Sequence, residues 1–217
     1  MFHKLFSLLF PPKCIFCRQL LMKQETDLCH RCRAETAEFS KARRKIPFVA
    51  DWTAMWYYNG SVRKSLIRYK FYNARGYADT YGRFLAMHLM QEFPDGIDLL
   101  TWVPISAARR RKRGYDQVEL LAFAIGKEWE QPPVRLLEKI RDTKPQSTMS
   151  DAAKRRANVM GAYRITDPVA VAGKQILLLD DIITTGATLS ECARMLLTAG
   201  AKEVYGAAIA AAPQDKK

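Results

Sequence analysis

Residues 176–189 read ILLLDDIITTGATL, and this stretch decides the fold. Four apolar residues run into two adjacent carboxylates and then into glycine and small hydroxyl-bearing residues. A short, unbroken apolar run is typical of a strand that is buried on both faces of a parallel sheet. The stretch therefore predicts a strand at Ile176–Leu179 that ends at Asp180 and Asp181, followed by a turn at Thr184–Thr188 that opens a helix.

Strand and helix patterns alternate around this stretch. The segments DLLTWVPI and KEVYGAAIA predict strands, and GYDQVELLAFAIGKEW and GATLSECARMLLTAG predict helices from their three- and four-residue apolar spacing. Upstream, the aromatic segment FVADWTAMWYYNG predicts strands with a turn at Asn-Gly, and SVRKSLIRYKFY and ARGYADTYGRFLAMHLMQEF predict two helices. This alternation predicts an α/β fold of Rossmann-like architecture, with a parallel sheet covered on both faces.

The turn after the strand at residues 176–179 has the chemistry of a phosphate site. Ligands of such sheets bind at the carboxyl ends of the strands, where small residues let backbone N–H groups point inward and a helix N-terminus adds partial positive charge. Asp180 and Asp181 would repel a phosphate, but they suit sugar hydroxyls or a metal. A phosphorylated ribose suits the stretch, because its hydroxyls fit the two acids and its phosphate fits the turn. The alternative is an ordinary N-terminal capping turn.

The chain of 217 residues carries a formal net charge of +13, which favours a polyanionic partner. That partner is either nucleic acid or a phosphorylated small molecule, and charge alone does not choose between them. The cations form three clusters: Lys41, Arg43, Arg44 and Lys45; Arg109 to Arg113; and Lys154 to Arg156. Either these clusters are solvated surface, or one or two cations of the second cluster neutralise a ligand. The aromatic residues Trp52, Trp56, Tyr57 and Tyr58 either stack on bases or, as their strand context favours, pack in the core.

Four of the five cysteines form two Cys-x-x-Cys pairs, CIFC and CHRC. The ligands predicted for a structural zinc ion are Cys14, Cys17, Cys29 and Cys32. Disulfides and a redox dithiol are alternatives, and His30 is an alternative ligand. Four thiolates leave no open coordination position, so the zinc is expected to be structural rather than catalytic. Cys192 stands apart and is expected to pack in the core.

These features predict three regions. Residues 1–38 hold an apolar segment and the zinc finger, residues 39–47 form a basic linker, and residues 48–217 form the main domain. The opening MFHKLFSLLFPPKC indicates an apolar docking segment, with a secretion signal as the alternative. Because no later stretch approaches the roughly 20 apolar residues that span a bilayer, a soluble cytoplasmic protein is expected.

The stretch ILLLDDIITTGAT also resembles the ribose-phosphate motif of the type I phosphoribosyltransferases. The resemblance implies that Asp180 and Asp181 face the 2- and 3-hydroxyls of phosphoribosyl pyrophosphate (PRPP). It further implies that a magnesium ion accompanies the pyrophosphate. The residues that the resemblance places around the 5-phosphate are Thr184, Thr185, Gly186, Ala187 and Thr188.

Nearly the whole chain is similar to the ComF family of competence-associated, phosphoribosyltransferase-like proteins. The similarity lies in a four-cysteine finger after FPP, then VPIS, RRRKRGYDQ, RDTKPQS, RRAN and GAY. It implies a pyrophosphate loop formed by Ser106, Ala107, Ala108 and Arg109. The family's Arg-Gly-aromatic-Asn-Gln pattern matches Arg113, Gly114, Tyr115 and Gln117, with Asp116 where Asn is usual. The residues implied for a mobile loop over the site are Thr143, Gln146, Arg155 and Asn158.

Two functions are consistent with this resemblance. The first is a PRPP-binding protein that acts in DNA uptake, with single-stranded DNA and DNA-uptake helicase or pore proteins as partners. The second is an active phosphoribosyltransferase of nucleotide metabolism that acts on an unidentified acceptor. No general base is evident near the motif, because His3, His30 and His88 all fall outside it. The sequence therefore predicts the ligand and leaves the catalytic residues unidentified.

Overall fold

The computed structural model describes residues 11–40, 44–93, 96–143 and 152–213. Its helices are α1 (His30–Glu35), α2 (Gly60–Phe71), α3 (Tyr77–Glu92), α4 (Ala107–Arg113), α5 (Gln117–Glu128), α6 (Ala152–Val159), α7 (Pro168–Val171) and α8 (Ala187–Thr198). Its strands are β1 (Trp52–Tyr57), β2 (Leu99–Trp102), β3 (Leu137–Lys139), β4 (Tyr163–Ile165), β5 (Gln175–Ile183) and β6 (Glu203–Ala211).

The main sheet has four parallel strands in the order β1-β6-β5-β2. The pairing of β2 with β5 ends at Trp102 and Leu179, but β5 continues along β6 as far as Ile183. Asp180 and Asp181 therefore lie inside β5. The sequence had predicted that the strand ends at them. They lie where the neighbouring strand has stopped, which leaves room for side chains and a ligand.

Both faces of this sheet are covered, which confirms the predicted α/β fold. Leu177 and Leu179 of β5 belong to the core cluster under α3 and α5, and Ile176 and Leu178 belong to the cluster under α8. All four side chains are fully buried. This burial explains the unbroken apolar run in the sequence, because neither face of a covered parallel strand meets water.

The turn predicted at Asn-Gly is wrong. Asn59 is the N-cap of α2, and Gly60 begins that helix with a positive φ of 44°. Strand β1 pairs in parallel with β6, and a parallel neighbour requires a crossover rather than a hairpin. A second, antiparallel pair of strands, β3 and β4, was not predicted, because three-residue strands are too short to show an alternating pattern.

The core interpretation of the tryptophans is confirmed, since Trp52 and Trp56 are 2% and 4% exposed. Cys192 is fully buried in the cluster under α8, as expected. Two residues of the stretch expected to be a linker are also buried. Phe39 packs against the Trp52 ring at a centroid distance of 5.2 Å, and Ile46 is 3% exposed.

No helix in the described part of the chain is both long enough and apolar enough to cross a bilayer.

The packing of α3 on α5 depends on a glycine. A Cβ atom built on Gly82 would lie 2.4 Å from Cβ of Ala124, which is too close for real atoms. We expect Gly82→Ala to lower the free energy of unfolding by about 1–3 kcal/mol, because the two helices would have to separate. Urea unfolding followed by circular dichroism measures this change. Gly76→Ala is the control, since a Cβ there meets nothing within 4 Å. Equal stability of the two variants would contradict the prediction.

Candidate functional site

The four paired cysteines form one cluster. Their sulfur atoms all lie within 4.8 Å of one another, and the Sγ atoms of Cys17 and Cys29 are 3.6 Å apart. A tetrahedral zinc ion with Zn–S bonds of about 2.3 Å places its sulfur ligands about 3.8 Å apart, so the cluster fits the ion. All five cysteines are among the described residues and none forms a disulfide. Within the described chain, His30 is outside the cluster, and Cys29 caps helix α1.

A cleft with a volume of about 850 Å³ opens at the carboxyl ends of β2 and β5. It brings together most of the residues singled out in the sequence. Those on its wall are Arg109, Arg113, Tyr115, Gln117, Thr143, Arg155, Asp180, Asp181, Thr184, Gly186, Ala187 and Thr188. Six of the residues singled out in the sequence are described but do not line the cleft: Ser106, Ala107, Ala108, Gly114, Asn158 and Thr185. Gln146 lies outside the described residues.

The two acids of the cleft are in different electrostatic states. Burial alone would raise the pKa of Asp181, but the charge and hydrogen bond of Lys70 and a hydrogen bond from Gln117 outweigh it and lower that pKa. Burial and the neighbouring charge of Asp181 raise the pKa of Asp180. The side chain of Asp180 accepts a hydrogen bond from the backbone N–H of Asp181 at 2.8 Å. The pair therefore carries one firmly held negative charge next to a group that is reluctant to ionise.

Lys70 is a site residue that sequence reasoning missed. Its Nζ lies 2.9 Å from Oδ1 of Asp181, and its side chain is 18% exposed. Gln117 donates from Nε2 to the other oxygen of Asp181 at 2.6 Å, and Arg113 donates to Gln117. In the sequence, Lys70 is one of several basic residues on a helix, and nothing in its spacing separates it from solvated cations.

The turn between β5 and α8 depends on Gly186. This residue is the N-cap of α8 and has a φ of 77°, a conformation that disfavours other residues. A Cβ at Gly186 would lie 2.7 Å from Cδ1 of Ile46. The segment before β1 therefore packs directly against the turn and fixes the path by which α8 begins.

The basic run at residues 109–113 forms most of helix α4. Ser106 caps the helix by accepting from the N–H of Arg109 at 3.2 Å, and Gly114 ends it with a φ of 82°. Helical spacing places Arg109 and Arg113 on the wall of the cleft. Arg110 points elsewhere and pairs with Glu119 at 2.7 Å.

Asp142 contacts the groups that were expected to bind pyrophosphate. Ser106 donates its hydroxyl to Oδ1 of Asp142 at 2.9 Å, and Nε of Arg109 lies 3.7 Å from the same oxygen. Arg109 also donates to the carbonyl of Thr143. The hydrogen bond from Ser106 is the main reason why the pKa of Asp142 is lowered. An internal carboxylate thus neutralises this end of the cleft.

Asp116, which stands where the ComF pattern has Asn, is 2% exposed and fully used as an acceptor. Its Oδ1 accepts from the backbone N–H groups of Val118 and Glu119 at 3.0 and 3.3 Å. Its Oδ2 accepts from the N–H of Ile105 at 3.0 Å. Burial raises the pKa of Asp116, and these hydrogen bonds oppose the rise. A carboxylate suits the position because both oxygens accept, whereas an amide offers one acceptor.

Lys139 of β3 projects into the cleft from the opposite side. Its Nζ lies 5.0 Å from the centre of the Tyr163 ring. Burial, followed by the charge of Arg109, lowers the pKa of Lys139 to about 8. This lysine is therefore partly neutral at mildly alkaline pH.

Comparison with known proteins gives two family matches. Residues 82–217 match the phosphoribosyl transferase domain, and residues 5–43 match the double zinc ribbon domain. The second match and the geometry of the cysteine cluster together support a structural zinc ion.

Similar whole proteins confirm the resemblance to the ComF family. Competence protein ComFC of Bacillus subtilis is 26% identical over 86% of this chain and 78% of its own length. ComFC of Streptococcus pneumoniae is 32% identical over 70% and 64%, respectively. DNA utilization protein YhgH of Salmonella typhimurium is 28% identical over 88% and 86%. Among solved structures, the glutamine PRPP amidotransferase of Bacillus subtilis overlaps 64% of this chain and 30% of its own, with 23% identity and a TM-score of 0.44.

We expect Lys139 to lose its proton near pH 8, which is a lower pH than a fully hydrated lysine requires, because burial disfavours its ammonium form. A titration of the lysine Cε signals by ¹³C NMR, with Lys139 assigned from a Lys139→Arg variant, measures this directly. The exposed Lys127 is the internal reference. A midpoint for Lys139 that coincides with that of Lys127 would refute the expectation.

Proposed function

Since this chain belongs to the phosphoribosyl transferase domain family, we propose that its cleft binds PRPP. The observation that carries the proposal is that one cleft is lined by Asp180 and Asp181 of β5, by the turn at Gly186 and by the cations of α4. Acceptors for hydroxyls thus share a cleft with two regions that suit phosphates. A ligand with a ribose, a 5-phosphate and a pyrophosphate has these same kinds of group.

Each part of PRPP then has a partner in this chain. Asp180 and Asp181 accept hydrogen bonds from the ribose 2- and 3-hydroxyls, and Lys70 keeps Asp181 ionised for that role. The N-terminal turn of α8 holds the 5-phosphate with backbone N–H groups and the hydroxyls of Thr184 and Thr188. Arg109 and Arg113 face the pyrophosphate. Binding of the pyrophosphate displaces Asp142 from Ser106 and Arg109, because both carboxylate and phosphate compete for the same donors.

A magnesium ion is proposed to enter with the pyrophosphate. The oxygen-rich floor at Asp180 and Asp181 has the ligand chemistry that Mg²⁺ prefers, and Mg²⁺ usually binds through substrate phosphates and retains several waters. When bound, the ion neutralises the phosphate charge. The residues of the chain would orient the ribose.

The biological role that we propose is the handling of incoming DNA in the cytoplasm during natural transformation, together with DNA-uptake helicase or pore proteins. Two kinds of similar protein support this proposal by name. One is a competence protein, and the other is a DNA utilization protein. The match to ComFC of Bacillus subtilis covers 86% of this chain and 78% of that protein, which favours a role that uses most of the chain.

Transfer of the phosphoribosyl group to an acceptor remains a second proposal for the same cleft. Lys139 supports it, because an amine with a pKa near 8 facing the cleft can accept or donate a proton. The described residues show no histidine on the cleft wall. The acceptor of such a reaction would have to approach from the side of β3 and β4, where Lys139 and Tyr163 lie.

We expect Asp181→Ala to weaken PRPP binding about 10- to 100-fold, because a charged acceptor is lost and Lys70 is left without its partner. Isothermal titration calorimetry with PRPP and Mg²⁺ measures the affinity. Glu128→Ala is the control, since it removes an exposed acid from the far end of α5. If the wild-type protein binds PRPP no better than Asp181→Ala does, the ribose-phosphate proposal is lost.

We propose that single-stranded nucleic acid binds next to the cleft, around Phe71 and Tyr72. Phe71 and Tyr72 are 65% and 72% exposed, which is unusual for aromatic side chains. The guanidinium of Arg113 lies 5.0 Å from the Phe71 ring centre, and Lys112 is nearby on the cleft wall. Exposed rings next to cations are the combination that binds single strands, since the rings stack on bases and the cations pair with phosphates.

We expect Phe71→Ala to weaken binding of single-stranded DNA by about 1–3 kcal/mol, through loss of one stacked base. Fluorescence anisotropy with a labelled oligonucleotide measures the affinity. Repeating it between about 50 and 200 mM salt separates the loss of stacking from the contribution of charge, because only the contribution of charge depends strongly on salt. Phe123→Ala is the matched control, because Phe123 is 53% exposed and lies on α5 away from the cleft wall. Wild-type protein with no affinity at low salt would remove this function, and competition by PRPP would show that both ligands use the cleft.

A further inference from the structure

We propose that Arg68 is a positioning residue of the ribose site, because it fixes helix α2 on the zinc knuckle and thereby holds Lys70 against Asp181. The zinc knuckle is defined here as residues 14–17. The inference rests on the proposed function, since it concerns how strongly PRPP binds. It predicts that zinc and PRPP affect each other's binding, although they occupy separate sites.

The knuckle is bound to α2 through its backbone carbonyls. Arg68 donates from one guanidinium nitrogen to the carbonyls of Ile15 and Phe16, both at 2.7 Å. Ser65, one turn earlier on the same face of α2, donates its hydroxyl to the carbonyl of Ile15 at 2.5 Å. Ile15 and Phe16 are 5% and 1% exposed, so their carbonyls have little access to water. Loss of Arg68 leaves the carbonyl of Phe16 without this charged donor, whereas the carbonyl of Ile15 keeps Ser65.

The next two residues of α2 contact groups that support the ribose site, and Lys70 also lines the cleft. The hydroxyl of Tyr69 donates to the carbonyl of Gln117 at 2.6 Å, and Lys70 reaches Asp181 at 2.9 Å. Tyr115 donates its hydroxyl to the carbonyl of Tyr69. Both groups that hold the carboxylate of Asp181, Lys70 and Gln117, thus depend on the position of the same helix end.

Arg68, which contacts the knuckle, and Lys70, which contacts Asp181, are close together along α2. Arg68 and Lys70 are two residues apart, which is about 3 Å of rise along a helix. A rotation or shift of α2 that breaks the contacts of Arg68 therefore also moves Lys70. The helix does not need to unfold for the effect to reach the cleft.

The shape of the knuckle in turn depends on zinc. Its loop is held by four cysteine sulfurs within 4.8 Å of one another, and four thiolates so close repel each other without a cation. In small four-cysteine sites, the free energy of metal binding is used to fold the loop. The carbonyls of Ile15 and Phe16 are fixed in direction only while the loop is closed.

A second contact between the finger and the main domain provides a matched control. Asp27 accepts from Arg83 of α3 through both carboxylate oxygens at 2.8 Å and from Thr80 at 2.9 Å. This contact holds the zinc-binding region to α3, and no residue of α3 lies on the cleft wall. Loss of Arg83 should loosen the finger without moving Lys70.

The test compares Arg68→Met with Arg83→Met, both as zinc-loaded full chains. We expect PRPP affinity, measured by calorimetry with Mg²⁺, to fall on the order of tenfold in Arg68→Met and to remain at the wild-type value in Arg83→Met. Because coupling between the two sites is reciprocal, saturating PRPP should raise the affinity for zinc, and we expect this to slow zinc release to a colorimetric zinc indicator. The slowing should be present in the wild type and Arg83→Met and absent in Arg68→Met. A purely structural role for Arg68 would not remove this dependence on PRPP.

Two outcomes would overturn the inference. One is wild-type PRPP affinity in Arg68→Met, and the other is zinc release that PRPP does not slow in a wild-type protein that binds PRPP. If the wild type binds no PRPP, the proposed function fails, and hydrogen exchange decides the inference by itself. We then expect the amides of residues 69–71 to exchange faster in zinc-loaded Arg68→Met than in Arg83→Met. Equal exchange would overturn it.

Discussion

Two adjacent carboxylates lie inside one buried strand, and the contacts around the cleft reduce the cost of that pair. Asp180 and Asp181 repel each other, and burial adds to the penalty for ionising both. The chain reduces the penalty by bringing Lys70 to within 2.9 Å of Asp181, whereas burial and the charge of Asp181 keep the pKa of Asp180 raised. One acid is thereby kept charged, and the other remains available to a ligand that supplies hydroxyls or a cation. The position of α2 follows from this requirement, because Lys70 lies in its last turn.

The same principle accounts for the opposite end of the cleft. Arg109 forms an ion pair with Asp142 and donates a hydrogen bond to the carbonyl of Thr143. Two of the charged groups that are expected to meet PRPP, Asp181 and Arg109, therefore pair with a side chain of opposite charge. Such partners lower the cost of preparing a charged site in advance, and they must be exchanged when a ligand enters.

The zinc-binding region is part of this arrangement rather than an attachment to it. Phe16 of the knuckle packs edge-on against Trp56 of β1 at a centroid distance of 5.2 Å. Cys14, Ile15 and Phe16 belong to the same core cluster as the side chains of α3 and α5. A short cysteine-rich segment of this size has too little apolar surface to fold alone, so it gains stability both from the metal and from the sheet on which it packs. The resulting continuity of the core allows a change at the knuckle to reach the cleft.

The sequence by itself determined the features that depend on neighbouring residues. The apolar run before Asp180 predicted a strand that is buried on two faces. The spacing of the four clustered cysteines predicted a site for a tetrahedral ion, formed by Cys14, Cys17, Cys29 and Cys32. The sequence misplaced the end of β5 and the Asn-Gly turn, because both depend on which strand lies alongside. Only the tertiary structure decided the contacts of Lys70 with Asp181, of Ile46 with Gly186 and of Arg68 with the knuckle. Periodicity along a chain reports which face of an element is buried, whereas these contacts join residues far apart in the sequence and are fixed by how the elements pack in space.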